Sequence, residues 1–167
     1  MREREDTFTM KIGVISDSHG KRVMLDRVSR RSTDISLFVH LGDLCSDAVY
    51  LHDITGLPVE YVCGNCDFTR QVPPSKEIKI GEKRIFLTHG HLYRVKWGTR
   101  QLIDSVRGKG YDAVLFGHTH MAEIFIVDGT IFMNPGSLSY SRGSKTATIG
   151  ILEISEDKIV PYIVNVD

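Results

Sequence analysis

The chain has little of what exported, membrane-embedded or strongly polyanion-binding proteins carry in quantity. Its 167 residues include three cysteines, Cys45, Cys63 and Cys66. That number is small and odd, which excludes a dense disulfide scaffold and makes a reducing cytoplasm the expected setting. Long hydrophobic runs are missing as well: stretches such as Ala113 to Phe116 and Ile149 to Leu152 are far short of the roughly 20 apolar residues a helix needs to cross a bilayer. No membrane span is expected. Neither sign of charge dominates, because 21 Lys and Arg balance 21 Asp and Glu. Without a basic stripe, no strong nucleic-acid binding is expected, and a compact, discrete substrate is favoured. Met1 to Thr9 lack the apolar segment of a secretory signal and are read as a disordered extension without function. Repeats, linkers and low-complexity tracts are absent too, so residues 10–167 are expected to form a single domain.

What the chain does have is an alternation of β-branched apolar runs with amphipathic stretches. The first half reads as strand Ile12 to Ser16, helix Arg22 to Arg31 with Val23, Leu25 and Val28 inward, and strand Ile35 to Leu41. A short helix capped by Ser46 and strand Val59 to Cys63 follow, and the paired prolines of the segment Asp67 to Ser75 make it a loop. The second half is richer in strand. Hairpins are predicted across Gly81-Glu82-Lys83, Asp128-Gly129 and Ser155-Glu156-Asp157, with a helix over Thr99 to Arg107 and a strand over Ala113 to Phe116. This order predicts an α/β sandwich with helices on the outer faces of packed sheets.

Five short motifs follow apolar runs: Asp17-Ser18-His19, Gly42-Asp43, Gly64-Asn65-Cys66-Asp67, His89-Gly90-His91 and Gly117-His118-Thr119-His120. Paired divalent cations need a bridging carboxylate with oxygen and imidazole ligands on each side, and these residues supply both. Asp17 and His19, like His118 and His120, are two apart, so an extended backbone would project each pair to one side. Gly117 would permit an unusual backbone angle. Spacing alone does not choose between His89 and His91.

With these motifs, the chain from Met10 onward resembles the calcineurin-like metallophosphoesterase superfamily, in its small prokaryotic phosphodiesterase branch. The resemblance implies a four-layer αββα sandwich, two mixed sheets flanked by helices. It implies a first metal held by Asp17, His19, Asp43 and His120, and a second held by Asp43, Asn65, His89 and His118, so that Asp43 bridges. Mn2+ is the first choice of cofactor, with Ni2+, Fe2+, Zn2+ or Mg2+ as alternatives. The activity implied is phosphodiesterase action on a small phosphodiester, by in-line attack of a hydroxide bridging the two cations.

Cys66 departs from many relatives, which carry histidine there; the small branch shares the cysteine. A thiol is a weak donor with an ordinary pKa of about 8.5. Substrates with good leaving groups, or another acid such as His91, are therefore expected. Cys63 and Cys66 form a Cys-x-x-Cys spacing without a second pair to complete a zinc site. Ser16 is assigned a packing role and Asn134-Pro135-Gly136-Ser137 a place behind the metals. His40 and His52 are read as structural or solvated. Arg70, Arg94, Lys96, Arg100 and Arg142 could meet phosphate or simply solvent, and Trp97 offers a stacking surface. A second reading is a noncatalytic scaffold, since the branch resembles the retromer scaffold subunit, which lacks the carboxylate matching Asp43. A third is a nuclease, although the chain has no capping or DNA-binding segment. A homo-oligomer is possible through the aliphatic strands at the carboxyl end.

Overall fold

A computed structural model describes residues 9–139 and 146–167. The expected extension before Thr9 and the candidate Arg142 lie outside the described residues. Among the described residues, ten strands and three helices follow in the order β1 (Thr9–Ile15), α1 (Arg22–Arg31), β2 (Leu37–His40), α2 (Cys45–Thr55), β3 (Val59–Tyr61), β4 (Ser75–Ile80), β5 (Lys83–Thr88), α3 (Arg100–Val106), β6 (Ala113–Leu115), β7 (Ala122–Val127), β8 (Thr130–Pro135), β9 (Thr148–Ser155) and β10 (Ile159–Asn165). Two short 3-10 turns, His91–Tyr93 and Val95–Trp97, lie between β5 and α3. No helix among the described residues is long and apolar enough to cross a membrane.

The strands form two five-stranded sheets, ordered β10-β9-β1-β2-β3 and β4-β5-β6-β8-β7. In the first, β1, β2 and β3 run parallel, β9 pairs antiparallel with β1, and β10 pairs antiparallel with β9. In the second, β5, β6 and β8 run parallel and β4 and β7 are antiparallel edges. Side chains alternate across each strand. Ile12, Val14, Leu37, Val39, Ile85, Leu87, Ala113 and Leu115 meet between the sheets. Ile15 and Phe38 face outward against Leu25, Val28 and Leu51 of α1 and α2. Val114, Phe116 and Phe132 face outward against Leu102 and Val106 of α3. These three apolar clusters make four layers, the αββα sandwich that the resemblance implied.

Several local expectations need correction. Val23 is 68% exposed, because only Leu25 and Val28, three apart on α1, share the face that meets the sheet. α2 begins at Cys45 with no side-chain cap from Ser46. Its first amide is satisfied instead by a distant carboxylate, with Cys45 N–H donating to Asp67 Oδ1 at 2.7 Å. Ser75 belongs to β4 rather than to the preceding loop, pairing with Thr88. The Asp128-Gly129 turn follows expectation: both residues have positive φ, 50° and 80°, as the tightest hairpin loops require.

Candidate metal centre

The carboxyl ends of the parallel strands β1, β2, β3, β5, β6 and β8 all open on one edge of the sandwich, the position where ligand sites gather in parallel sheets. Asp17, Asp43 and Asn65 follow β1, β2 and β3, while His89 and His118 follow β5 and β6. The chain does not leave these strands extended, as the two-residue spacing suggested. Asp17, His19, Asp43, His118 and His120 all have φ between 45° and 70°, the left-handed region. Each such residue costs of order 1 kcal/mol or more, and they concentrate where geometry is over-determined by its surroundings. Backbone bonds fix the turns: Asp17 N–H donates to the Gly42 carbonyl and His19 N–H to that of Asp43, each at 3.0 Å. Pairing of 17 with 19 therefore comes from a tight turn that crosses to the neighbouring strand end.

Each buried carboxylate has one oxygen anchored and the other aimed. Asp17 Oδ2 accepts from Ser16 Oγ at 2.6 Å and from His118 N–H at 2.9 Å, which gives Ser16 an orienting role beyond packing. Asp17 Oδ1 is buried and receives no hydrogen bond, though His120 Nε2 lies 3.1 Å away and the Nε2 atoms of His19 and His89 each 3.9 Å. Asp43 Oδ1 accepts from Cys66 N–H at 2.9 Å. Asp43 Oδ2 stands 3.8 Å from His19 Nε2 and 3.3 Å from His89 Nε2. Burial opposes ionisation of Asp43, yet the His89 imidazole and the Cys66 N–H outweigh it and hold the carboxyl well below its usual range.

His89 is buried, and its Nδ1 lies 2.7 Å from the Leu41 carbonyl. A carbonyl only accepts, so Nδ1 carries a proton and Nε2 is the atom presented to the site. Nε2 faces Asn65 Oδ1 at 3.1 Å and His118 Nδ1 at 3.2 Å. Burial works against charge on His89, but Asp43 and Asp17 prevail and raise its pKa. His118 goes the other way, down to about 4, through burial and then the neighbouring charges of His89 and Lys96. His91 lies beside this group, its ring 5.4 Å from that of His89 and 6.1 Å from that of His118. Burial and the charge of His89 lower its pKa.

Among the described residues, three triads offer donor atoms within 4.8 Å of one another: Asp17-His19-His120, His19-Asp43-Cys66 and Asp43-His89-His118. Of the two histidines in the His-Gly-His motif, His89 joins such a triad and His91 does not. A buried carboxylate oxygen without a donor, ringed by imidazole nitrogens, is costly unless a cation sits nearby. The mixed oxygen and imidazole set suits a first-row divalent ion better than calcium. These residues fit the metal ions that the motifs imply.

Supporting residues lie behind the triads. Asn134 Nδ2 donates to the Gly117 carbonyl at 3.0 Å, and Ser137 Oγ to the Asp17 carbonyl at 2.9 Å. The sequence did not single out Ser18, Asp47 or Asp67. Gly42 N–H donates to His40 Nδ1 at 3.2 Å, so His40 Nε2 donates to Ser18 Oγ at 2.8 Å, and Ser18 donates in turn to Asp47 Oδ2 at 2.6 Å. This buried relay pins the loop between Asp17 and His19. Asp67 Oδ2 gathers the N–H groups of Asp43 and Gly64 at 3.0 and 2.8 Å. Polar residues clustered at strand ends were the only hint of these roles. Trp97 is 91% exposed and lines an open hollow with Arg94, Gly98, Arg100 and Gln101. His52 is exposed and bonds the Leu57 carbonyl.

Two glycines serve the site through space. Gly117 has no positive φ; a Cβ there would lie 2.0 Å from Ser16 Oγ, so closeness rather than an unusual angle explains it. At Gly64 a Cβ would lie 2.1 Å from Asp43 Oδ1 and 2.8 Å from its Cγ. Gly64→Ala is therefore expected to push Asp43 aside, costing about 1–3 kcal/mol of stability and lowering metal affinity roughly tenfold or more. Calorimetric titration of the purified variant with divalent ions checks this, and unchanged affinity would mean that the carboxylate need not hold its position.

A family model described as the calcineurin-like phosphoesterase superfamily domain matches residues 10–157. The chain is 32% identical over 149 residues to the probable metallophosphoesterase YsnB of Bacillus subtilis, covering 89% of this chain and 86% of that protein. A predicted phosphoesterase from Streptococcus pneumoniae superposes with a TM-score of 0.82 at 27% identity, over 96% of this chain and 91% of that one. Vps29 from Entamoeba histolytica, solved in complex with zinc, superposes with a TM-score of 0.70 at 26% identity, over 95% of this chain and all (100%) of that one.

Proposed function

The chain belongs to the calcineurin-like phosphoesterase superfamily, and from that premise we propose that it is a binuclear metal-dependent phosphodiesterase acting on a small phosphodiester. One observation carries the reading: Asp43 Oδ2 stands between His19 Nε2 at 3.8 Å and His89 Nε2 at 3.3 Å, so a single carboxylate belongs to both halves of the donor set. Asp17, His19, Asp43 and His120 would hold one divalent cation, and Asp43, Asn65, His89 and His118 the other. Mn2+ is the first choice, with Ni2+, Fe2+, Zn2+ or Mg2+ as alternatives. When bound, such a pair supplies Lewis acidity, making water more acidic and neutralising phosphate oxygens.

The chain's own groups do the rest. Leu41 holds the His89 ring in one tautomer, and Ser16 and the His118 amide hold the Asp17 carboxylate, so the donors are oriented before any ligand arrives. Lys96, whose charge acts on His118, is available to a substrate phosphate oxygen. Leaving-group protonation falls to His91, beside His89 and His118. Esters with good leaving groups should therefore turn over fastest.

The test is hydrolysis of bis-p-nitrophenyl phosphate by metal-stripped protein titrated with Mn2+. Manganese-dependent release of p-nitrophenol is the expected result. Similarity to Vps29 supports a second reading, a metal-binding scaffold for protein interaction. Metal binding without turnover in Mn2+, Ni2+, Fe2+ or Zn2+ would favour that reading over the enzyme.

A further inference from the structure

We propose that the Cys66 thiol is itself a metal ligand, and that it biases the cation held by His19 and Asp43 toward softer ions such as zinc or cobalt over manganese. The inference rests on the metal-centre reading above and concerns a side chain outside the ligand set drawn from the family resemblance. The three donor triads interlock. Asp17-His19-His120 shares His19 with His19-Asp43-Cys66, which shares Asp43 with Asp43-His89-His118. The thiol thus belongs to the connecting triad, within 4.8 Å of donor atoms of both its partners.

Cys66 is held there by its own backbone, since its N–H donates to Asp43 Oδ1 at 2.9 Å. Its sulfur accepts from Asn65 Nδ2 at 3.6 Å, which fixes where the side chain lies, while Asn65 Oδ1 turns to His89 at 3.1 Å. A second observation points independently to a cation at this side of the site: the buried, unbonded Asp17 Oδ1 faces the same His19. Cys66 is only partly buried, so an ion can reach it from solvent. Ligation replaces the S–H bond by a sulfur–metal bond and releases the proton to solvent. Thiolate donors favour zinc, cobalt and iron over manganese.

The full chain loaded with Co2+ provides a readout independent of turnover. A sulfur-to-cobalt charge-transfer band is expected in the near ultraviolet, lost in Cys66→Ser while the visible cobalt bands remain. Competition with a chelator should show Zn2+ affinity falling roughly tenfold or more in Cys66→Ser, with Mn2+ affinity changed by less than about twofold. Cobalt binding without charge transfer would overturn the thiol's role and leave the metal centre standing. A band that persists in Cys66→Ser would come from Cys45 or Cys63 and would also overturn it. Failure to bind cobalt at all would overturn the metal-centre reading and the thiol's role with it.

Discussion

Asp43→Asn is expected to reduce phosphodiester turnover by on the order of 10^3-fold, about 4 kcal/mol in activation free energy, while leaving the fold intact. The substitution is nearly isosteric. Its remaining carbonyl oxygen can still accept the Cys66 N–H that Asp43 Oδ1 accepts at 2.9 Å, so the loop after β3 keeps its anchor. What changes is the atom between His19 and His89: an anionic oxygen 3.8 and 3.3 Å from their Nε2 atoms becomes a neutral amide. Under the proposed binuclear reading, a shared carboxylate would contribute to both cation positions at once, so its loss would be felt at each. Elemental analysis should find fewer than two equivalents of metal per chain in the variant, with circular dichroism unchanged. A variant that binds two equivalents and keeps a tenth or more of wild-type turnover would remove Asp43 from the bridging position.

Acidification is expected to weaken the metal-free protein through His40. Burial pushes this imidazole down to about 4, against the combined pull of Asp47, Asp17 and Asp67. Folding here favours the neutral ring, because Nδ1 accepts from Gly42 N–H and Nε2 donates to Ser18. The unfolded chain, with an ordinary histidine pKa near 6.5, takes up the proton first. Stability from this group is therefore full above about pH 6.5 and declines as pH falls toward 4, by roughly 2–3 kcal/mol at pH 4.5. His40→Gln retains a donor toward Ser18 and cannot titrate. Urea denaturation of both proteins with chelator present, at pH 7.5 and 4.5, isolates the effect: the wild type should lose that much more stability than the variant. Equal losses in the two proteins would show that His40 is not held neutral by the fold.

Much of the fold was legible because it follows from local pattern. Helix α1 spans Arg22–Arg31, the bounds that its amphipathic spacing predicts, and the turn signals at Gly81 and Asp128-Gly129 mark hairpins. Reading failed where a contact from far along the chain replaces a local one. Ser46 has the side chain of a helix cap, but Asp67 supplies the acceptor for Cys45. Asp17 and His19 have the spacing of an extended pair, but hydrogen bonds to the β2 strand end turn both into the left-handed region. Ser16 looks like filler beside Asp17, and its hydroxyl orients that carboxylate.

Composition and motif order by themselves determined the donor inventory, the alternation of strand and helix, and the family to which the chain belongs. Those are properties of residue type and of periods of two or about 3.6 residues, which are written along the chain. The family resemblance had already favoured His89 over His91, and the structure agrees by grouping His89 with Asp43 and His118; only the tertiary structure decided that Cys66 reaches His19 and Asp43 and that Ser18, His40 and Asp47 form one relay. Such choices depend on distances of a few ångströms between residues some 20 to 100 positions apart. The stacking of parallel strand ends from two packed sheets sets those distances, and no local spacing encodes them.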